Sequence, residues 1–289
     1  MVNPDPILEH LLTWADARAS VRAVLMTSTR TMPGVTLDPF SDYDIILAVT
    51  DVRPYFEDRA WLGDFGPVLA VYRDPIRTEH GSERFAYITQ YETDRLKIDF
   101  TVLQANWLRQ VAAAPSLPDE LDVGYRVLLD KDGLTAGLQP PTYRAHIPTP
   151  PSEAEYLELI EVFIHEATYV AKALWRGDLL PAKHCLDHMM KGEMLRVALE
   201  WLVEIEHDWS LKRGAIGKGL RKHVPREVWA RLERTYVGAD PADNWAAMFA
   251  TIELFRDVAV TVGEHLGYAY PDALHQRVLA YLRGVQAMA

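Results

Sequence analysis

In residues 38–49, DPFSDYDIILAV, two carboxylates stand two positions apart at the head of an apolar run. Strand side chains alternate between faces, so Asp42 and Asp44 point the same way while Ile45 to Val49 read as the buried body of a strand. Two like charges about 5 Å apart at an effective dielectric near 20 repel by on the order of 3 kcal/mol, a substantial share of a domain's net stability. A divalent cation is the simplest compensation. A third acid, Asp99 in LKIDFTVL, falls on another predicted strand whose Ile98, Phe100 and Val102 occupy the opposite face. The small polar turn TSTR, residues 27–30, directly follows a short apolar stretch, and twelve residues lie between Thr29 and Asp42. Backbone N–H groups at such a strand-to-helix turn can hold phosphate oxygens.

The elements that must position these groups alternate between helix and strand. Ile7, Leu8, Leu11 and Leu12 form one helical stripe, and RAVLM (residues 22–26) reads as a buried strand. PYFEDRAWLGDFG reads as helical and stops at glycine, VLAVYRD as a strand, and residues 84–103 as two strands joined by a polar turn near residues 92–94. Five prolines in residues 138–151 mark a boundary, because proline donates no backbone hydrogen bond. Beyond it Ser152 and Glu155 form a capping box, and helical patterns cover residues 153–176, 181–206, 225–236 and 244–266. The expected fold is α+β: an N-terminal mixed sheet with flanking helices over residues 1–137, a Pro-rich linker at 138–152, and a C-terminal α-helical bundle over 153–289.

The chain has 289 residues, 49% apolar and 25% charged, enough for two domains and a full core. No apolar run approaches the roughly 20 residues that span a bilayer, and the first residues carry no basic leader. The expectation is a cytoplasmic protein without a membrane partner. One cysteine, Cys185, excludes an internal disulfide and reads as a small core residue. The net charge of −11, from 41 acids against 30 bases, argues against a nucleic-acid partner and favours a cationic ligand, though many soluble enzymes are acidic for solubility alone.

The turn, the Asp-x-Asp pair and the third acid resemble the DNA polymerase β-like nucleotidyltransferase superfamily. More closely, the chain is similar to the aminoglycoside 6-adenylyltransferases, or streptomycin adenylyltransferases, over most of its length. DPFSDYDI, WLGDFG, LKIDF, YVAKALWRGDLLPAKH and LEWLVE carry that resemblance, and DWSLKRGAIGKGL echoes a Gly-Lys element of the family. The family turn reads Gly-Ser-Arg, whereas this chain has Ser28-Thr29-Arg30, placing a side chain where glycine lets a backbone approach the phosphates closely. The resemblance implies a nucleotidyltransferase sheet, Mg²⁺, ATP as co-substrate, and an aminoglycoside acceptor. Ser28, Thr29 and Arg30 would then contact the nucleotide, and Asp42 and Asp44 would be shared metal ligands. Asp99 would bind a second ion or take the proton of the acceptor hydroxyl.

Other signals admit plainer readings. Lys172 could reach phosphates across a domain cleft, or be an ordinary solvated lysine. Glu161 shares its helical face and could meet an acceptor ammonium group, or be a surface acid. Lys218 lacks the strand and the Ser/Thr of a phosphate-binding P-loop, and a loop between helices suits it better. His184 and His188 lie at i, i+4 without an evident third metal ligand. The expected activity is transfer of AMP from ATP to a hydroxyl of an aminoglycoside, streptomycin first, by a protein for which a monomer is favoured. The alternatives are another small-molecule or protein hydroxyl as acceptor, or a nucleotide-binding pseudoenzyme, against which the three retained acids argue.

Overall fold

The computed structural model describes residues 5–79, 81–211 and 214–288, and the chain divides into two compact units, Met1–His146 and Ile147–Ala289. The first holds one sheet: β1 (Val21–Thr27), β2 (Tyr43–Val49), β3 (Val68–Arg73), β4 (Arg77–Glu79), β5 (Ser82–Tyr91), β6 (Lys97–Gln104) and β7 (Tyr125–Asp130). Their order is β3-β5-β6-β2-β1-β7, with β4 paired to β5. β2 and β6 run parallel, and β1 pairs antiparallel with both β2 and β7. The central strands are apolar through their middles, Ala23–Met26 in β1 and Ile45–Val49 in β2, because both faces are covered there. Ile45, Leu47, Ile98, Phe100 and Val102 join one core with α1 (Pro6–Asp16), where Trp14, Trp61 and Phe65 meet ring against ring. Ile46, Ala48 and Leu103 face α3 (Asn106–Ala112) and its Trp107, Leu108 and Val111. Residues 54–66, expected as one helix, fall instead on the short α2 (Arg53–Glu57) and a separate 3₁₀ turn over Ala60–Phe65.

The second unit is helical. α5 (Glu153–Arg176) follows α4 (Asp119–Asp122) in the chain; it begins on the Ser152–Glu155 capping box and ends at Gly177, whose φ of 74° suits glycine. The pattern over 181–206 resolves into α6 (Leu179–Lys183), a π-helical stretch His184–Leu195 and α7 (Arg196–Glu206). In that stretch Lys191 is buried and donates to Asp187 at 2.7 Å and to the Thr235 carbonyl at 2.5 Å. α8 (Arg226–Arg234), α9 (Pro241–Leu266) and α10 (Asp272–Gln286) complete the bundle, with Phe163 of α5 stacked on Phe255 of α9 at 3.6 Å between ring centroids. Lys218 follows a short 3₁₀ turn between α7 and α8; its neighbours Lys212 and Arg213 lie outside the described residues. Among the described residues no helix is long and apolar enough to cross a membrane.

One glycine couples β7 to the turn after β1. Gly124 has φ 124°, and its carbonyl accepts from the Ser28 N–H at 3.2 Å. A Cβ there would lie 2.8 Å from Thr31 Oγ1 and 3.1 Å from the Tyr143 ring. Gly124→Ala therefore combines an unfavourable backbone with a clash, and should lower the unfolding free energy by more than about 1 kcal/mol. Urea titration checks this; an unchanged midpoint contradicts the close packing of turn and strand.

Candidate active site

Sheet register brings the sequence-predicted residues together. Asp44 on β2 is level with Asp99 on β6 and with Thr27 on β1, so the turn that follows Thr27 opens beside the acids. Asp44 and Asp99 share the sheet face of Ile46 and Leu103, where both strands emerge from the core. Asp42 lies just before β2 and is joined to the cluster through Lys97, whose Nζ donates to Asp42 Oδ2 at 2.5 Å and to Asp99 Oδ2 at 2.6 Å. Asp99 Oδ1 is buried and has no hydrogen-bond partner among the described residues.

Burial, then the charges of Asp42 and Asp99, push the Asp44 carboxyl up to about 6, while Lys97 and a hydrogen bond from the Ser28 hydroxyl act in the opposite sense. Burial also raises Asp99. Burial works against the Lys97 ammonium, but its bonds to Asp42 and Asp99 outweigh that and hold it above the ordinary lysine value. The repulsion expected between the acids is thus offset by a lysine rather than left to a cation alone. The signal was available: Lys97 and Asp99 are two apart on one strand and must share a face.

The turn itself is built of unusual backbone. Ser28 has φ 63°, the left-handed region that glycine adopts freely, and its hydroxyl interacts with Asp44. Thr31 Oγ1 donates to the Ser28 carbonyl at 2.7 Å. Arg30 is committed to local structure: Nε donates to the Asp42 carbonyl at 2.9 Å and Nη2 to the Ser41 carbonyl at 2.8 Å. Its guanidinium lies 3.6 Å from the Tyr43 ring centroid. The Tyr43 hydroxyl in turn donates to Asp5 at 2.9 Å, and Asp5 accepts from the first N–H groups of α1. Burial and that bond push Tyr43 up to about 12. Arg30 thereby fixes the backbone that carries Asp42.

The other sequence-predicted residues stand in the second unit. Glu161 is exposed on α5, and Lys172 Nζ sits 4.1 Å from the Tyr169 ring centroid. The His184 and His188 rings are 5.2 Å apart. Among the described residues no three His, Cys, Asp or Glu side chains are gathered closely enough to hold a metal ion as they stand. In the acid cluster, the space between Asp42 and Asp99 belongs to the Lys97 ammonium. The donor set still suits Mg²⁺: hard carboxylate oxygens on adjacent strands, one of them buried and unpartnered.

A family model described as streptomycin adenylyltransferase matches residues 1–285. An aminoglycoside 6-adenylyltransferase of Campylobacter jejuni is 28% identical over 273 residues, spanning 94% of this chain and 92% of that protein. Another, of Bacillus subtilis (strain 168), is 27% identical over 289 residues, spanning 99% and 98% respectively. The crystal structure of an aminoglycoside 6-adenyltransferase from Bacillus subtilis aligns at a TM-score of 0.46 with 25% identity, covering 97% of each chain.

Two stability measurements test the electrostatics and the turn. Because the folded Asp44 carboxyl titrates near 6 instead of 3.8, the folded protein keeps a proton that the unfolded chain has released. In metal-free buffer this contribution to stability is therefore lost as pH rises from about 4 to about 6. Asp44→Asn should remove that slope and be more stable than the parent at pH 7 by on the order of 2 kcal/mol. Parallel pH profiles in urea would contradict the assignment. At Ser28, Ala keeps the backbone strain and loses the hydroxyl, whereas Gly relieves the strain. Ser28→Ala should be less stable than Ser28→Gly by about 1 kcal/mol, and equal melting temperatures would show that the turn carries no strain.

Proposed function

We propose that this chain, which belongs to the streptomycin adenylyltransferase family, transfers AMP from ATP to a hydroxyl of an aminoglycoside, with streptomycin the first acceptor to test. The chain is a nucleotidyltransferase; the acceptor and the residue roles are our assignments. The observation that carries them is the register that sets Thr27, Asp44 and Asp99 side by side, with Asp42 tied in by Lys97.

In this scheme the acceptor oxygen attacks the α-phosphorus of ATP, the bond from that phosphorus to the β-phosphate oxygen breaks, and pyrophosphate leaves. Asp99 takes the acceptor's proton. Its raised affinity for a proton, caused by burial, suits a general base better than an ordinary surface aspartate. Asp42 and Asp44, with Asp99, would hold Mg²⁺, which when bound supplies positive charge for the phosphate oxygens. The turn after β1 contributes backbone N–H groups and the Thr29 hydroxyl to phosphate oxygens, a role in which hydrogen-bond donors are fixed before the substrate arrives. Ser28 orients Asp44 through its hydroxyl, and Arg30 anchors the Asp42 backbone. Glu161, exposed on α5, offers a carboxylate to an acceptor ammonium group, in keeping with a chain whose net charge is −11.

The test is incubation with ATP, Mg²⁺ and a panel of aminoglycosides, read by mass spectrometry as gain of one adenylyl group with release of pyrophosphate. Streptomycin should be modified. Asp99→Asn should lower kcat by about 10²- to 10⁴-fold, the usual contribution of a positioned base, while changing streptomycin affinity little. Full turnover in that variant removes Asp99 from the mechanism, and a panel without any adenylylated product removes the aminoglycoside assignment.

A further inference from the structure

We propose that Lys97 is a positioning residue whose ammonium stands in for the metal, holding Asp42 and Asp99 together in the metal-free protein and leaving both when a divalent cation enters. This inference rests on Asp42, Asp44 and Asp99 being metal ligands. The ammonium already uses one oxygen of each of two carboxylates, at 2.5 and 2.6 Å. A doubly charged ion brought to the same oxygens meets that positive charge at close range, where repulsion is strong. The two cations therefore compete for the same carboxylates.

The surroundings permit the exchange. The Lys97 side chain keeps 30% of its surface exposed, so it can swing away from the acids without any part of the core opening. Its stem is flexible, and an ammonium makes single point contacts that break one at a time. Among the described residues Asp99 Oδ1 lies buried without a hydrogen-bond partner, since Lys97 satisfies only Oδ2. Once displaced, the ammonium is available to the phosphate anions that accompany the cation. Lys97 thereby lowers the affinity for bare metal while sparing the fold the repulsion of three adjacent acids.

Mn²⁺ binding to the full chain, measured by electron paramagnetic resonance, tests the competition with Lys97→Met and Lys97→Gln, two neutral variants of similar length. Both should bind Mn²⁺ about tenfold more tightly than the parent, because the competing charge is gone. In the parent, Mn²⁺ should also increase acylation of Lys97 by an N-hydroxysuccinimide ester severalfold, read by peptide mass spectrometry. Unchanged or weaker Mn²⁺ binding in a folded variant, or Lys97 that stays as unreactive with Mn²⁺ bound as without it, overturns the proposal. If neither parent nor variants bind Mn²⁺, the metal assignment of the three acids fails first and the role of Lys97 falls with it.

Discussion

Mutual repulsion among Asp42, Asp44 and Asp99 is the constraint around which the N-terminal unit is arranged. The parallel pairing of β2 and β6 leaves Asp44 and Asp99 no freedom to separate, because they are level in the sheet and leave it on the same face. Burial raises the proton affinity of both, and the cost is contained by Lys97 and the Ser28 hydroxyl. A site that concentrates negative charge in this way is a poor contribution to stability and a good receptor for a cation, the sense in which active sites depart from what folding alone would favour.

Around that cluster the supporting contacts form a connected chain. Asp5 caps α1 and accepts from Tyr43; Tyr43 stacks under Arg30; Arg30 holds the Ser41 and Asp42 carbonyls. On the other side Gly124 receives the Ser28 N–H and leaves room for Thr31. The acids thus sit on strand ends whose approach segments are fixed on both sides, and side chains on such rigid elements keep their aim better than those on free loops. Beneath them the aromatic cluster of Trp14, Trp61, Phe65 and Phe100 holds β6 against α1 and the 3₁₀ turn.

Much of this was legible in the sequence because period-two patterning is unambiguous where one face is buried: Ile98, Phe100 and Val102 alternate with Asp99, and the apolar run after Asp44 could only be an interior strand. The span of α5 followed from its capping box and its helical pattern. What escaped was of a different physical kind. Lys97 obeys the same alternation, but a lysine at a strand start reads as a solubilising charge until a neighbouring strand supplies Asp42 as its partner. Arg30, expected to contact the nucleotide, also has a structural role that escaped notice, because the Asp42 and Ser41 carbonyls that accept from it come within reach only once the chain has folded. The π-helical stretch within 184–195 and the break between α2 and the following turn depend on tertiary packing that local periodicity does not encode. α10 was not read from the sequence, although Leu274, Val278, Leu282 and Val285 stand at helical spacing and Val278, Leu279 and Val285 pack against the helical core around Leu282.

The chain accordingly joins a nucleotidyltransferase sheet, in which charge is concentrated, to a helical unit with its own core. In the reading proposed above, the three acids receive a divalent cation and nucleotide in place of Lys97. Anomalous X-ray diffraction from crystals grown with Mn²⁺ and a non-hydrolysable ATP analogue tests it most directly. The expected result is an Mn²⁺ peak coordinated by Asp42 and Asp44, with the α-phosphate beside Asp99 and the Lys97 ammonium withdrawn from both carboxylates. An Mn²⁺ peak elsewhere, or Lys97 still bridging Asp42 and Asp99 with nucleotide bound, would contradict it.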